Sequence, residues 1–346
     1  MNTVFVIGAG ASKEVGLPTG EELKGVIAKL LDLRWHHGVQ VGGDSDIDDA
    51  IKYAMPMGGV NESYKKTIQS ALHIRDALPQ AISIDNFVDA HRDDESIAFC
   101  SKLAIVKAML SSECKSLLHS KYDNIKRKFD FSALNNTWYI RFFQLITENC
   151  DKSDLGKRLS SVKLIIFNYD RCVEHFLYHA FINYYQISES DAAELISKIT
   201  IYHPYGGVGD LPWMERGESI DFGGGLNHEL LVSLSERIKT FTEGVDPGSS
   251  EVKEIKKVMI KAERVAFIGF AFHKLNMELI SPERLMAFGW EGIKCFATTY
   301  QVSKSDQAVI KNQIQSIYGD DDIEVVMSDT KCNDFFKEFS KSLSFS

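Results

Sequence analysis

The chain lacks any stretch near the roughly 20 unbroken apolar residues that a membrane-spanning helix needs. Its apolar start, Val4–Ile7, has neither the charged leader nor the cleavage site of a signal peptide. Low-complexity tracts and internal repeats are also absent, and a composition of 44% hydrophobic and 25% charged residues is ordinary for a globular protein of 346 residues. The sequence therefore predicts a soluble, cytoplasmic protein of one large or two smaller domains without a membrane partner.

Closely spaced cysteines are missing as well. No two of the six cysteines form a C-x-x-C pair, and they are scattered along the chain: Cys100, Cys114, Cys150, Cys172, Cys295 and Cys332. This spacing fits neither a disulfide framework nor a structural zinc site. We expect reduced thiols that mostly fill the core, and no bound metal.

An excess of positive charge is the third absence. The formal net charge is −9, whereas a chain that binds nucleic acid unaided needs clustered Lys and Arg. The one compact basic run, Lys121–Lys128, also holds Asp123 and is typical of a solvated helix face. The sequence predicts no direct nucleic-acid partner.

The N-terminus has the pattern of a strand, a glycine turn and a helix. The apolar, β-branched run Thr3–Ile7 ends abruptly in the turn Gly8–Ser12, as a buried parallel strand does. Thr19 and Glu22 then have the spacing of a capping box, and apolar residues recur on one helical face after them.

The rest of the chain alternates between helical and strand patterns. Residues 44–151 carry apolar residues mainly at helical spacing and predict a helical insertion. Further strands are predicted at Val162–Phe167, Ile199–Tyr202, Arg264–Ile268, Gly292–Thr298 and Ile323–Met327. The expected fold is α/β, a doubly wound, mostly parallel Rossmann-like sheet formed by residues 1–43 and 152–346.

Ligands of such a sheet bind at the carboxyl ends of its strands, so the residues after each strand are the candidates for a site. They comprise Gly8–Ser12, Asn168-Tyr169-Asp170, His203-Pro204-Tyr205-Gly206 and Gly269-Phe270-Ala271. The Gly8-x-Gly10 turn would let backbone N–H groups approach a pyrophosphate, and Gly269 would let the chain approach a second part of a nucleotide. Both turns could instead serve chain geometry alone.

The polar residues after the strands have a chemical and a structural interpretation. Asn168 could hold a water molecule or a ribose hydroxyl, or mark a simple strand-to-helix turn. Asp170 could support it, or cap the following helix. His203 could act as a general base, or fill a structural position. Lys13 replaces the third glycine of the Rossmann fingerprint and the fingerprint's acidic residue is missing, which disfavours a dehydrogenase.

Taken together, these motifs resemble the sirtuin family, and more narrowly the bacterial sirtuin-like domains of antiphage defence systems. The resemblance is carried by Gly8–Ser12, Gly16–Thr19, Phe167–Asp170, His203–Gly206 and Ile268–Phe272. One departure is that Pro204-Tyr205 separates His203 from Gly206, where the family has a His-Gly pair. Ser83–Phe87 resembles a segment of the defence-type domains, although a helix turn that buries Ile84 and Phe87 explains it almost as well.

The resemblance implies a reaction and a set of site residues. Deacetylases of this family carry a zinc module with two C-x-x-C pairs, which this chain lacks, so a protein deacetylase is disfavoured. The defence-type members imply hydrolysis of NAD to nicotinamide and ADP-ribose, which depletes cellular NAD in an abortive infection. The implied catalytic residues are Asn168, Asp170 and His203, and the implied NAD-binding residues are Gly8, Ala9, Gly10, Ala11, Ser12, Thr19, Gly269 and Phe270.

Two other functions stay open at this point. The first is a regulatory module that binds NAD or ADP-ribose without turnover, and the second is an NAD(P)-dependent oxidoreductase, which the incomplete fingerprint disfavours. The resemblance also implies control through assembly, either as a homo-oligomer or with a partner such as a HerA-like ATPase or an Argonaute-like protein.

Overall fold

The computed structural model describes residues 2–55, 60–123, 126–214, 217–239, 249–282, 292–319 and 323–345, without the side chains of 60–61 and 121–128. The described strands, numbered in chain order, are β1 Thr3–Ile7, β2 Arg34–His36, β3 Val39–Gly42, β4 Lys121–Asp123, β5 Lys126–Lys128, β6 Val162–Ile166, β7 Thr200–Tyr202, β8 Arg264–Ile268, β9 Lys294–Thr298 and β10 Glu324–Ser328.

Six of these strands form one parallel sheet in the order β10-β9-β8-β1-β6-β7. The chain thus runs outward from β1 through β6 to β7, returns to β8 on the other side of β1, and runs outward again. This is the strand order of a doubly wound Rossmann fold, in which parallel strands are joined by crossover connections. The predicted α/β, mostly parallel, Rossmann-like fold is confirmed.

Helices cover both faces of the sheet. In chain order they are α1 Ala9–Ser12, α2 Gly20–Leu30, α3 Ser45–Tyr53, α4 Val60–Ala77, α5 Ile84–Ala90, α6 Glu95–Lys115, α7 Trp138–Thr147, α8 Leu155–Leu159, α9 Cys172–Tyr185, α10 Glu189–Ser197, α11 His228–Glu236, α12 Ser250–Ile260, α13 Lys274–Ile280, α14 Lys304–Tyr318 and α15 Cys332–Glu338. Thr19 and Glu22 form the predicted capping box at the start of α2.

The sheet separates two hydrophobic cores because successive side chains of a strand point to opposite faces. Val4 and Val6 of the fully buried β1 belong to one core, together with apolar residues of α2, α3 and α6. Phe5 and Ile7 belong to the other, with residues of α7, α9 and α15. The helices between residues 44 and 151 therefore pack into the same two cores as the sheet.

Two short antiparallel hairpins lie outside the main sheet: β2 pairs with β3, and β4 pairs with β5. The second one holds the basic run Lys121–Lys128, so the interpretation of that run as a helix face is wrong. The sequence Asp123-Asn124 supplies the physical reason, because Asp and Asn are unfavourable in helix interiors.

The turns after β1 and β8 lie directly against each other at the point where the strand order reverses. Gly8 N–H donates to the Ile268 carbonyl and Gly10 N–H to the Gly269 carbonyl, each at 3.0 Å. Gly269 has a φ of +57°, and a Cβ added to it would lie 2.1 Å from the Ala11 nitrogen. Glycine is therefore required here by backbone packing.

Within the described parts of the chain, no helix combines the length and the apolar composition that crossing a membrane requires.

Gly269→Ala tests this close packing. The variant should lose about 2 kcal/mol or more of unfolding free energy, because the added methyl group meets backbone and the φ is unfavourable for alanine. Gly25→Ala is the matched control: this α2 glycine is exposed and has nothing within 4 Å of an added Cβ, so its stability should hold or rise by up to about 1 kcal/mol. Urea unfolding measures both. Equal stabilities for the two variants would contradict the packing described.

Candidate active site

A buried hydrogen-bond network joins the turn after β1 to the turn after β6. Ser12 Oγ donates to Asp170 Oδ2 at 2.7 Å, and Asn168 Nδ2 donates to Ser12 Oγ at 3.0 Å and to the Gly8 carbonyl at 3.1 Å. Ser12, Asn168 and Asp170 are all less than a tenth exposed. The parallel register that aligns Ile7 with Ile166 brings these two turns to the same edge of the sheet.

Asp170 has structural partners on both carboxylate oxygens. Besides the Ser12 hydroxyl, it accepts the N–H of Cys172, the first residue of α9, at 3.1 Å. Burial raises the pKa of Asp170, and the two hydrogen bonds oppose that rise without cancelling it. The N-cap of α9 is Arg171 rather than Asp170, and Asp170 bonds the first N–H of the helix from one residue further upstream. Support of Asn168 by Asp170 passes through Ser12.

The Asn168 side chain is oriented by the protein itself. Its amide nitrogen donates to two acceptors, the Gly8 carbonyl and Ser12 Oγ. Since an amide NH₂ group carries two hydrogens, a ligand contact by this side chain must go through Oδ1, which accepts hydrogen bonds. Asn168 is thus arranged to accept a hydrogen bond from a hydroxyl or a water molecule.

His203, one residue beyond β7, lies next to Asn168 as expected for neighbouring strand ends. Its Nδ1 is 3.3 Å from the Asn168 carbonyl oxygen, and its Nε2 is 2.6 Å from Glu174 Oε1. The side chain keeps 22% of its surface exposed, so that a ligand can reach the ring. Asn168 and His203 are brought together, and both belong to the carboxyl edge of the sheet.

The sequence reasoning missed Glu174, the acidic partner of His203. Glu174 lies on α9, one helical turn after Asp170, and is buried. Burial disfavours the charged form of both groups, but their mutual attraction outweighs it. The pKa of Glu174 is lowered by His203, and the pKa of His203 is raised by Glu174. No local pattern in the sequence marks this pair, because His203 lies 29 residues further along the chain.

A cleft of about 600 Å³ opens beside this pair. Its wall includes Gly206, Gly207 and Gly209 of the glycine-rich segment after His203. The charged and aromatic lining residues are Arg171, Glu174, His203, Asp210, Trp213, Arg237, Lys239 and Glu251. The volume lies within the range of small-molecule sites, roughly 300–1,000 Å³.

Arg171 fixes the glycine-rich wall of the cleft, and it was also missed. Its guanidinium pairs with both carboxylate oxygens of Glu113, at 3.1 and 2.6 Å. The same group donates to the carbonyls of Asp210, Ile220 and Asp221 at 3.2, 2.7 and 3.1 Å. All five N–H donors of the buried guanidinium are therefore used, which ties the wall to α6 and α9.

The residues predicted to bind NAD phosphates lie at this edge of the sheet but have protein partners. Gly10 N–H donates to the Gly269 carbonyl, and Ala11 N–H donates to the Gly8 carbonyl. The stretch of Ala9 to Ser12 is a single turn of helix rather than an open loop. In this structure, the glycines thus allow the turn after β1 and the turn after β8 to approach each other closely.

Two further predicted ligand contacts have local roles as well. Phe270 is 6% exposed and packs on Phe167, with ring centroids 5.1 Å apart. Thr19 caps α2, where its side chain accepts the Glu22 N–H. A role of these residues in NAD binding stays a prediction.

The Ser83–Phe87 segment is the start of α5. Ser83 Oγ accepts the Asn86 N–H at 3.1 Å, and Ile84 and Phe87 are buried. Asp85 accepts a hydrogen bond from the Tyr169 hydroxyl, which connects this helix to the segment that holds Asn168. Ile84 and Phe87 therefore have the predicted place in the core, and Asp85 adds a polar contact to the site.

Across the described residues, no group of three or more His, Cys, Asp or Glu side chains is arranged to hold a metal ion. A search against models of known protein families finds no match for this chain. No curated protein matches it either.

Ser12→Ala tests the buried network. The variant should lose about 1–3 kcal/mol of unfolding free energy, because Asp170 loses a donor and Asn168 an acceptor in a buried place. Ser316→Ala, which removes an exposed helical hydroxyl bonded to its own helix, should change stability by less than about 0.5 kcal/mol. Chemical unfolding compares the two; a loss for Ser12→Ala as small as the control's would refute the network's contribution.

The pairing of His203 with Glu174 makes stability depend on pH. Because the pKa of folded His203 is raised above 6.5, its stabilisation is complete below that pH and is lost as pH rises through the folded value. The pKa of Glu174 is lowered from 4.5, so its stabilisation is lost only as pH falls through the folded value. The stability difference between the wild type and His203→Gln should therefore be larger at about pH 5.5 than at about pH 9. Urea unfolding at both pH values measures it, and a difference that grows with pH would contradict the pairing.

Proposed function

We propose that this chain is an NAD glycohydrolase that cleaves the bond between nicotinamide and ribose. The observation that carries the proposal is the pair of Asn168 and His203, which meet at the carboxyl edge of a Rossmann-like sheet beside a cleft of about 600 Å³. Dinucleotides bind at this edge in doubly wound folds, and the order of the sequence motifs matches the sirtuin resemblance.

The chemistry of NAD hydrolysis suits such a site. Nicotinamide is already cationic in NAD and leaves as a neutral molecule, so the enzyme mainly orients the substrate and stabilises an oxocarbenium-like ribose. Asn168 Oδ1 would accept a hydrogen bond from a ribose hydroxyl or the attacking water, and His203 would take up a proton. The two residues are direct neighbours, because the backbone carbonyl oxygen of Asn168 lies 3.3 Å from His203 Nδ1.

The proposed substrate pose puts the nicotinamide ribose against His203. The glycine turn supports this pose by fixing Ser12, and through Ser12 the amide of Asn168. A direct contact of the pyrophosphate with Gly8–Ser12 is a separate proposal, since Gly10 and Ala11 already donate their N–H groups within the protein. Substrate binding would need that segment to exchange those bonds.

A regulatory module that binds NAD or ADP-ribose without turnover is the second candidate. It is favoured by one observation: both N–H groups of Asn168 are satisfied by the protein, as in a side chain that only supports a turn. The two functions differ in one product. A hydrolase releases nicotinamide from NAD, whereas a binding module leaves NAD intact.

The proposed biological role is the depletion of NAD in antiphage defence. It rests on the resemblance of the motifs to defence-type sirtuin-like domains, which also suggests control by homo-oligomerisation or by a HerA-like ATPase or an Argonaute-like partner. Particle mass and nicotinamide release, measured together with and without the product of the neighbouring gene, test both parts of this role.

Asn168→Ala and His203→Ala should each lower the rate of nicotinamide release by about 10²-fold or more, the usual effect of removing one oriented catalytic group. His36→Ala removes an exposed histidine from the β2 strand and should keep the wild-type rate. Chromatography of the products gives the rates. Wild-type rates for both site variants would refute the assignment of these residues.

A further inference from the structure

We infer that Glu174 is the positioning residue of His203, and that it leaves Nδ1 as the nitrogen that accepts the proton. The inference rests on the proposed function for its catalytic consequence, but not for the pairing itself. The sirtuin-like motifs do not include this glutamate, and it reaches the site from the third residue of α9.

The geometry selects one tautomer of the ring. Glu174 Oε1 lies 2.6 Å from His203 Nε2, and an ionised carboxylate can only accept a hydrogen bond. Nε2 must therefore carry the hydrogen, and the lone pair of the neutral ring is at Nδ1. Nδ1 lies 3.3 Å from the backbone carbonyl oxygen of Asn168, which can only accept, so Nδ1–H donates to it while the ring is an imidazolium. The proton that the ring gives up to become a base is therefore the one on Nδ1, because Nε2–H stays bonded to the charged carboxylate.

Within the described part of the chain, the hydrogen bond to His203 is the one that the structure gives for the Glu174 carboxylate. The residue is 5% exposed and belongs to a 14-residue helix, which holds it in place. Its second oxygen, Oε2, is buried without a hydrogen-bond partner among the described residues. A buried carboxylate with an unpaired oxygen is costly, and the imidazole is the group that compensates its charge.

The other charged groups near His203 and Glu174 have partners of their own or lie outside contact with the ring. Asp170 and Arg171 are the charged neighbours on the chain segment that starts α9, and Arg171 is paired with Glu113. The charged groups across the cleft form their own pairs, Arg237 with Asp210 at 2.7 Å and Lys239 with Glu251 at 2.8 Å. Glu174 is thus the anion in contact with the ring.

The proton transfer balances with these groups alone. As the attacking water forms its oxygen–carbon bond to the ribose, the carbon–nitrogen bond to nicotinamide breaks and its electron pair leaves with nicotinamide. The water proton moves to Nδ1, which makes the ring an imidazolium. Glu174 stabilises that cation through the Nε2–H bond, and the proton is later released to solvent.

The test compares Glu174→Gln with Glu194→Gln. The first variant keeps the shape and an acceptor oxygen but removes the charge; the second removes a carboxylate that is 70% exposed and pairs with Lys198. The pKa of His203 is measured by NMR titration of the ring, assigned by its loss in His203→Gln. The pH dependence of nicotinamide release is recorded for the same proteins.

Glu174→Gln should lower the pKa of His203 and move the acid limb of the rate profile to lower pH, with a maximal rate reduced by about 10²-fold. Glu194→Gln should leave both unchanged. A His203 pKa that stays at its wild-type value in Glu174→Gln would overturn the inference, as would a reduced rate with an unmoved acid limb. If Glu174→Gln does not fold, Glu174→Asp takes its place and should retain the wild-type acid limb, whereas a shifted limb would contradict the account.

The two proposals fail in distinguishable ways. If the wild type releases no nicotinamide, the proposed function fails, while the NMR titration still tests the pairing. If nicotinamide is released and the pKa of His203 is the same in the wild type and in Glu174→Gln, only the positioning role fails.

Discussion

The hydroxyl of Ser12 is the constraint on which the rest of the site depends. It accepts from Asn168 and donates to Asp170, and so joins the turns after β1 and β6 in one buried network. A hydroxyl is suited to this position because it donates and accepts at the same time. The close contact of the turns after β1 and β8, which requires Gly269, holds α1 and therefore Ser12 in place. Packing at the strand reversal thus determines where the polar groups lie.

A second constraint forms the space beside this network. Arg171 uses every N–H of its guanidinium, two towards Glu113 and three towards backbone carbonyls of the glycine-rich wall. A buried arginine is stable only when its charge is paired and its donors are satisfied, so this wall is held firmly against α6. His203 lies between the network and the cleft, with its ring bonded to Glu174 and still partly exposed. The site combines rigid support with one reachable titratable group.

Much of the fold could be predicted from the sequence because strands such as Thr3–Ile7 and Arg264–Ile268 are continuous apolar runs that end in glycine turns. The meeting of Asn168 and His203 followed from the parallel topology alone. Glu174 and Arg171 could not be found this way, since their partners are 29 and 58 residues distant in the chain and no local pattern marks such pairs. The prediction of a helix face for Lys121–Lys128 was wrong because it rested on charge composition and gave too little weight to Asp123-Asn124, which is unfavourable in a helix interior. The glycines fitted a phosphate loop and a packed turn equally well, and only the distances between turns distinguish the two.

The central claim is that the oriented Asn168 and His203 serve hydrolysis of NAD rather than the stability of a turn. The most direct measurement follows NAD, nicotinamide and ADP-ribose over time in a solution of the purified chain, alone and with the product of the neighbouring gene. The account predicts that NAD disappears while nicotinamide and ADP-ribose appear in equal amounts. Intact NAD under both conditions, with NAD binding demonstrated by calorimetry, would contradict it.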